Sequence, residues 1–122
     1  MVRYIHDLGK ESRLSIIYIL LQNRSKKELA DELEVSPALI TKYLKGITHP
    51  SDEIIKKCIE ISNEEEYKQI IDIIISDLSS AVEELINDID AEYILQNESL
   101  KKLYNYLNKI YNQEYSTSST FV

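Results

Sequence analysis

Apolar positions along this chain recur every three or four residues, in blocks separated by short polar breaks, and never alternate for long. That period predicts helices throughout. Leu14, Ile17, Tyr18 and Leu21 mark a helix from Lys10 to about Gln22, set off from a short lead-in by Gly9. Leu29, Ala30 and Leu33 give a short helix over 26–33, and Leu39, Ile40, Tyr43 and Leu44 a second over 37–45. Ile54, Ile55, Cys58 and Ile59 face inward on a helix from Ser51 to Ile61. A long helix follows over 64–89, about 39 Å at ~1.5 Å per residue. Its stripe holds Tyr67, Ile70, Ile71, Ile74, Leu78, Ala81, Val82, Leu85 and Ile89. Further apolar residues such as Ile73 and Ile75 make it wider than a two-stranded coiled-coil seam, so this helix is expected to be covered from more than one side, in a bundle or a dimer. Leu100, Leu103, Tyr104, Leu107, Ile110 and Tyr111 form a final stripe over about Glu98 to Glu114, and the remainder, STSSTFV, reads as a disordered tail.

The helix ends are marked as clearly as the faces. Ser25-Lys26-Lys27-Glu28 has the spacing of a capping box, in which the serine hydroxyl accepts from the Glu28 amide while the Glu28 carboxylate reaches back. Ser36-Pro37 restarts the chain with a good N-cap followed by proline at the first helical position, and Gly46 stops the second short helix. Asp52, Glu53 and the run Glu64–Glu66 place carboxylates in first turns, where the helix dipole favours them. Two short helices joined by about three residues make a helix-turn-helix, a unit that can lay its second helix in a DNA major groove.

In this segment the chain resembles the XRE group of regulators, the Cro and lambda-repressor type. The resemblance rests on Leu29-Ala30, the Val35-Ser36 turn, Ile40 within the second helix, then Tyr43, Gly46 and Pro50-Ser51, in that order. It covers roughly residues 11–62. Two positions depart from the pattern: Glu34 stands where the turn often has glycine, and Lys26 where the first motif helix often opens on another polar residue. The resemblance implies an all-α fold: a helix-turn-helix DNA-binding domain of four to five helices over 1–62, a helical dimerisation region over 63–115, and a tail over 116–122. The first helix, LGKESRLSIIYILLQ, also resembles the opening helix of ArsR-like winged-helix repressors. That fold needs a β-hairpin where this chain runs on into Pro50-Ser51 and another helix.

Composition supports the helical reading. Two glycines and two prolines in 122 residues are too few for a turn-rich sheet fold, while a 43% apolar share can fill a core. The net charge of −7 argues against a DNA binder until its distribution is counted. Residues 1–50 hold eight Lys/Arg against six Asp/Glu, whereas residues 51–122 hold six against fifteen. The acidic charge therefore sits away from the motif, either to keep that part off phosphate or simply as solvated helix faces.

If the family geometry holds, the recognition helix 37–45 offers Pro37, Ala38, Thr41 and Lys42 to base edges. Ala38 and Thr41 can touch a thymine methyl, and Lys42 can reach guanine or remain a solvated surface lysine. With no Asn, Gln or Arg on this helix, direct readout is expected to be weak, and DNA shape and dimer spacing to carry more of the specificity. Phosphate contacts are expected from Lys26, Lys27, Ser36, Lys45, Thr48 and His49, with free amides at the start of the first motif helix and added charge from Arg24.

Other chemistry is poorly supported. Cys58 is the only cysteine and His6 and His49 the only histidines, with no ligand spacing, so no metal site is expected. There is no glycine-rich phosphate loop, no recognisable nucleophile–base pair, no cofactor motif, no leader pattern and no apolar run long enough for a membrane. The expectation is a cytoplasmic, non-enzymatic, sequence-specific regulator that binds double-stranded DNA as a homodimer through residues 64–114, with no membrane partner. The competing expectation is a helical protein-interaction module, such as an antitoxin or assembly adaptor, whose acidic helices hold a protein partner.

Overall fold

In the computed structural model, residues 2–120 are described, with side chains through Gln113. Eight helices follow one another: α1 (Arg3–His6), α2 (Lys10–Leu21), α3 (Lys26–Leu33), α4 (Pro37–Leu44), α5 (Asp52–Ile61), α6 (Glu64–Asp88), α7 (Ala91–Gln96) and α8 (Glu98–Thr120). The fold is all-α, and no strand occurs among the described residues. The hairpin a winged helix requires is therefore missing after α4. The chain divides into two compact units, Met1–Ala81 and Val82–Val122.

The first unit is built around one apolar core. Ile16, Ile17 and Leu20 of α2 meet Leu29, Ala30 and Leu33 of α3, Ile40 of α4, Ile55 and Cys58 of α5, and Ile70 of α6, all with no exposed surface. Each fully buried large side chain in this set contributes roughly 1.5–3 kcal/mol relative to leaving it in water. Helix α2 is enclosed on several sides, so its buried set is Ile16, Ile17, Ile19 and Leu20. Tyr18, expected on its inner stripe, is 50% exposed. The core also takes in Ile70 and Ile74, so the first unit continues past Ser62 into α6 as far as Ala81.

Buried polar groups tie the short elements down. Arg13 on α2 is 8% exposed. Its guanidinium donates to the carbonyls of Leu8, Ile5, His6 and Pro50 and to Asp52 Oδ1 at 2.7 Å. It thereby holds α1, the Leu8 turn and the start of α5 around one charge. His6 Nδ1 lies 2.9 Å from Asp52 Oδ2, and the hydrogen bonds from His6 and Arg13 hold the Asp52 carboxyl below its ordinary range. At the same end of α2, the Gly9 amide donates to Asp77 Oδ2 of α6 at 3.1 Å, a cap borrowed from a residue 68 positions away.

The second unit is different in kind. No side chain from Val82 to Gln113 is buried, because its helices leave their apolar stripes uncovered within the single chain. Tyr104 and Tyr111, expected in a core stripe, are 67% and 64% exposed. The short α7 was hidden from the periodicity by its length. The Asn97 side chain then accepts from the Leu100 amide at 2.8 Å and starts α8. That helix runs to Thr120, past the end expected near Glu114 and through the first five residues of the expected tail. Phe121 and Val122 lie outside the described residues, as does the side chain of Tyr115.

Candidate nucleic-acid interface

Local sequence sets the geometry of α3, the turn and α4. The Ser25 hydroxyl accepts from the Glu28 amide at 3.1 Å, and Glu28 Oε1 accepts from the Ser25 amide at 3.3 Å, closing the capping box. At the far end Glu34 takes the left-handed conformation (φ 61°, ψ 41°). The Val35 amide then donates back to the Ala30 carbonyl at 2.9 Å, closing the helix end as a Schellman turn does. Ala30 is completely buried at this crossing, where a larger side chain would push the two helices apart. Ser36 caps α4 by accepting from the Leu39 amide at 3.2 Å, and Pro37 occupies the first turn. Gly46, at φ 71°, lets the chain leave α4 in a conformation that side chains rarely adopt.

Helix α4 turns Ile40 and Tyr43 fully inward, with Leu39 and Leu44 half-buried beside them. At ~100° per residue, Pro37, Ala38, Thr41, Lys42 and Lys45 all fall within the opposite ~140° of the helix surface. Four of these five are exposed, and Thr41 is half-buried. The structure thus gathers the expected base-reading residues on one outward face. Thr41 lies there with its hydroxyl donating to the Pro37 carbonyl at 3.3 Å and Lys26 Nζ 3.5 Å away, which ties the start of α3 to the face of α4. Lys26, Lys27, Ser36 and His49 are exposed, and Thr48 is half-buried.

Two details differ from the sequence reading. The amides of Ser25 and Glu28 are taken by the capping box, so at the start of α3 those of Lys26 and Lys27 remain for an anion, beside a carboxylate. Arg24 is not part of a basic rim. Its side chain is 11% exposed, and it donates to Glu66 at 2.6 and 3.1 Å, to Glu32 at 2.6 Å and to the Leu20 carbonyl at 3.0 Å. Glu66 is 2% exposed and also accepts from Asn23 and from the Asn63 amide, while the Asn63 side chain caps α6 by accepting from the Glu66 amide at 2.8 Å. The Arg24 hydrogen bonds, aided by those from Asn63 and Asn23, hold the Glu66 carboxyl at about 2, and Glu66 in turn raises Arg24. No periodicity could have revealed this cluster, because its partners lie 42 residues apart.

A capped α3, a left-handed turn, and an α4 that buries one face while presenting the other define a helix-turn-helix unit. Residues 17–63 match the helix-turn-helix family, that of XRE-type regulators. The domain is thus of the kind found in DNA-binding transcription regulators. No curated protein and no solved structure matches the chain. No helix among the described residues is long and apolar enough to cross a membrane.

Proposed function

We propose that the protein is a sequence-specific regulator that binds double-stranded DNA as a homodimer, with α4 in the major groove. The observation that carries this reading is the outward face of α4. Pro37, Ala38, Thr41, Lys42 and Lys45 share it while Ile40 and Tyr43 anchor the helix from behind. Ala38 and Thr41 supply apolar and hydroxyl contacts to base edges, and Lys42 the one long donor. Lys26, Lys27, Ser36, Lys45, Thr48 and His49 supply backbone contacts, the two lysines beside the open amides of α3. One such unit covers about half of a specific site, and a pair spans half-sites roughly 34 Å apart. The apolar side chains left exposed within residues 64–114 support the pairing.

Selection of bound sequences from a random duplex pool tests the reading. A palindromic consensus with half-sites one helical turn apart is expected. Lys42→Ala should relax preference at one position of each half-site, whereas Lys26→Ala should weaken all sequences alike and flatten the salt dependence. No binding to any duplex at 50 mM salt would refute the proposal and favour the protein-interaction reading, since even nonspecific affinity appears under those conditions.

A further inference from the structure

The end of α4 fixes the residue that follows it. The Gly46 amide donates to the Tyr43 carbonyl and the Ile47 amide to the Lys42 carbonyl, both at 3.0 Å, the paired bonds of a Schellman turn. Such a turn folds its last residue back beside its first, which here is Lys42 on the outward face. An apolar residue in that place commonly packs onto its own helix. Ile47 instead keeps 67% of its surface exposed, and it belongs neither to the buried core nor to the half-buried residues packed on it. Among the described residues between Tyr18 and Tyr67 it is the one large apolar side chain left exposed. The segment that carries it is held from both sides. The two turn bonds fix it behind, and ahead of it Pro50 is buried with its carbonyl accepting from Arg13 Nη1 at 2.9 Å.

The rest of the face has the same character. Pro37 and Ala38 are exposed and carry no hydrogen-bonding side chain. Thr41 uses the single proton of its hydroxyl on the Pro37 carbonyl, 3.3 Å away, and the Lys26 ammonium lies 3.5 Å from the same oxygen. The branch of Thr41 that remains unengaged is its methyl. Among the base edges of the major groove the apolar group is the C5-methyl of thymine, which 5-methylcytosine also carries. We propose that Ile47 is a specificity-determining residue of this face, seated on the C5-methyl group of a pyrimidine. Lys42 beside it and Lys45 two positions before it supply the charge that draws this apolar group against the duplex. The inference rests on the duplex-binding reading above and adds which chemical group of the base edge the face selects.

Fluorescence anisotropy of the full chain on a duplex selected from a random pool tests this. Replacing each thymine in turn by deoxyuridine removes the methyl and leaves the base pairing intact. A methyl taken out of water corresponds to about fourfold in affinity. One position in each half-site should therefore lose about fourfold for the wild type and nothing for Ile47→Ala. Cytosine and 5-methylcytosine at that position separate the two sources of the methyl, a gain on methylation assigning both and no gain assigning thymine alone. Ile47→Ala should leave the thermal unfolding transition in place, because the side chain lies outside the core. Three results would overturn the inference and leave the DNA-binding reading standing: a wild type that binds with no methyl dependence at any pyrimidine, an Ile47→Ala protein that keeps the wild-type dependence, or one that loses affinity equally with and without the methyl. No binding of the wild type to any duplex would overturn both.

Discussion

Replacing Glu66 with glutamine tests the polar cluster that joins α2, α3 and α6. The carboxylate accepts four hydrogen bonds, two from Arg24 at 2.6 and 3.1 Å, one from Asn23 at 3.0 Å and one from the Asn63 amide at 2.9 Å. A glutamine of the same shape turns one of the two oxygens into a donor that faces donors. The charge contribution follows from titration. Glu66 is held at about 2 against an ordinary 4.5. At ~1.4 kcal/mol per unit this corresponds to about 3 kcal/mol. Arg24 keeps Glu32, which is 43% exposed, as a second partner, so solvent-screened compensation lowers the expected loss at pH 7 to about 2 kcal/mol. Because the folded carboxyl titrates below the unfolded one, its stabilisation is complete above about pH 4.5 and fades as pH falls towards 2. Urea unfolding followed by circular dichroism at pH 7 and pH 3 is the assay. The gap between wild type and Glu66→Gln should shrink by more than half at the lower pH. A gap under 0.5 kcal/mol at pH 7, or one of equal size at both pH values, would refute this account of the cluster.

Glu34→Gly should raise stability by about 0.5–1 kcal/mol. It relieves a left-handed residue that bears a Cβ, and the 3.2 Å pair with Lys57 that it removes is solvent-exposed. Thermal unfolding checks the sign. Asp77→Ala should cost about 1 kcal/mol and fray the start of α2, read as faster amide exchange in residues 10–13, because Gly9 has no side chain with which to replace that cap. Cys58, fully enclosed and with its thiol pushed up to about 12 by burial, should resist an aromatic disulfide reagent at pH 8 in the folded protein and react at once in denaturant.

What could be read in sequence was what a few neighbouring residues decide. Ser25 with Glu28 and Ser36 with Pro37 each act over about three positions, and each forms the cap its spacing implied, while Ser51, expected as the first residue of its helix, is instead its N-cap. Glu34 likewise adopts the left-handed turn that its position in the motif demanded. The outward face of α4 was legible for the same reason, since helical period alone fixes it. What could not be read depended on distant partners. Arg24 looked like surface charge because Glu66, 42 residues further on, is what turns it inward. Tyr18 looked buried because α2 carries more apolar residues than one stripe, and only packing decides which of them face water. Ile70 and Ile74 of α6 were read as part of a dimerisation stripe for the same reason, and packing places them in the core of the first unit.

Two of the three arginines lie inside the fold, and Arg3 on α1 is exposed. Arg13 and Arg24 are enclosed against carbonyls and carboxylates, and the exposed cations of the motif, Lys26, Lys27, Lys42 and Lys45, are all lysines. The two planar guanidinium groups nearest the motif, which could grip a guanine edge with two parallel bonds, are enclosed, and the proposed DNA-binding face is left with strongly hydrated point charges. If every one of those lysines displaces a counterion, a dimer releases about eight, and the logarithm of affinity falls with the logarithm of salt at a slope of about −7. Going from 50 to 150 mM salt then costs on the order of a thousandfold in binding. For the proposed regulator, ionic strength would then be a control on occupancy in its own right, with discrimination between sites sharpest where the salt is high enough to strip away the charge-driven background.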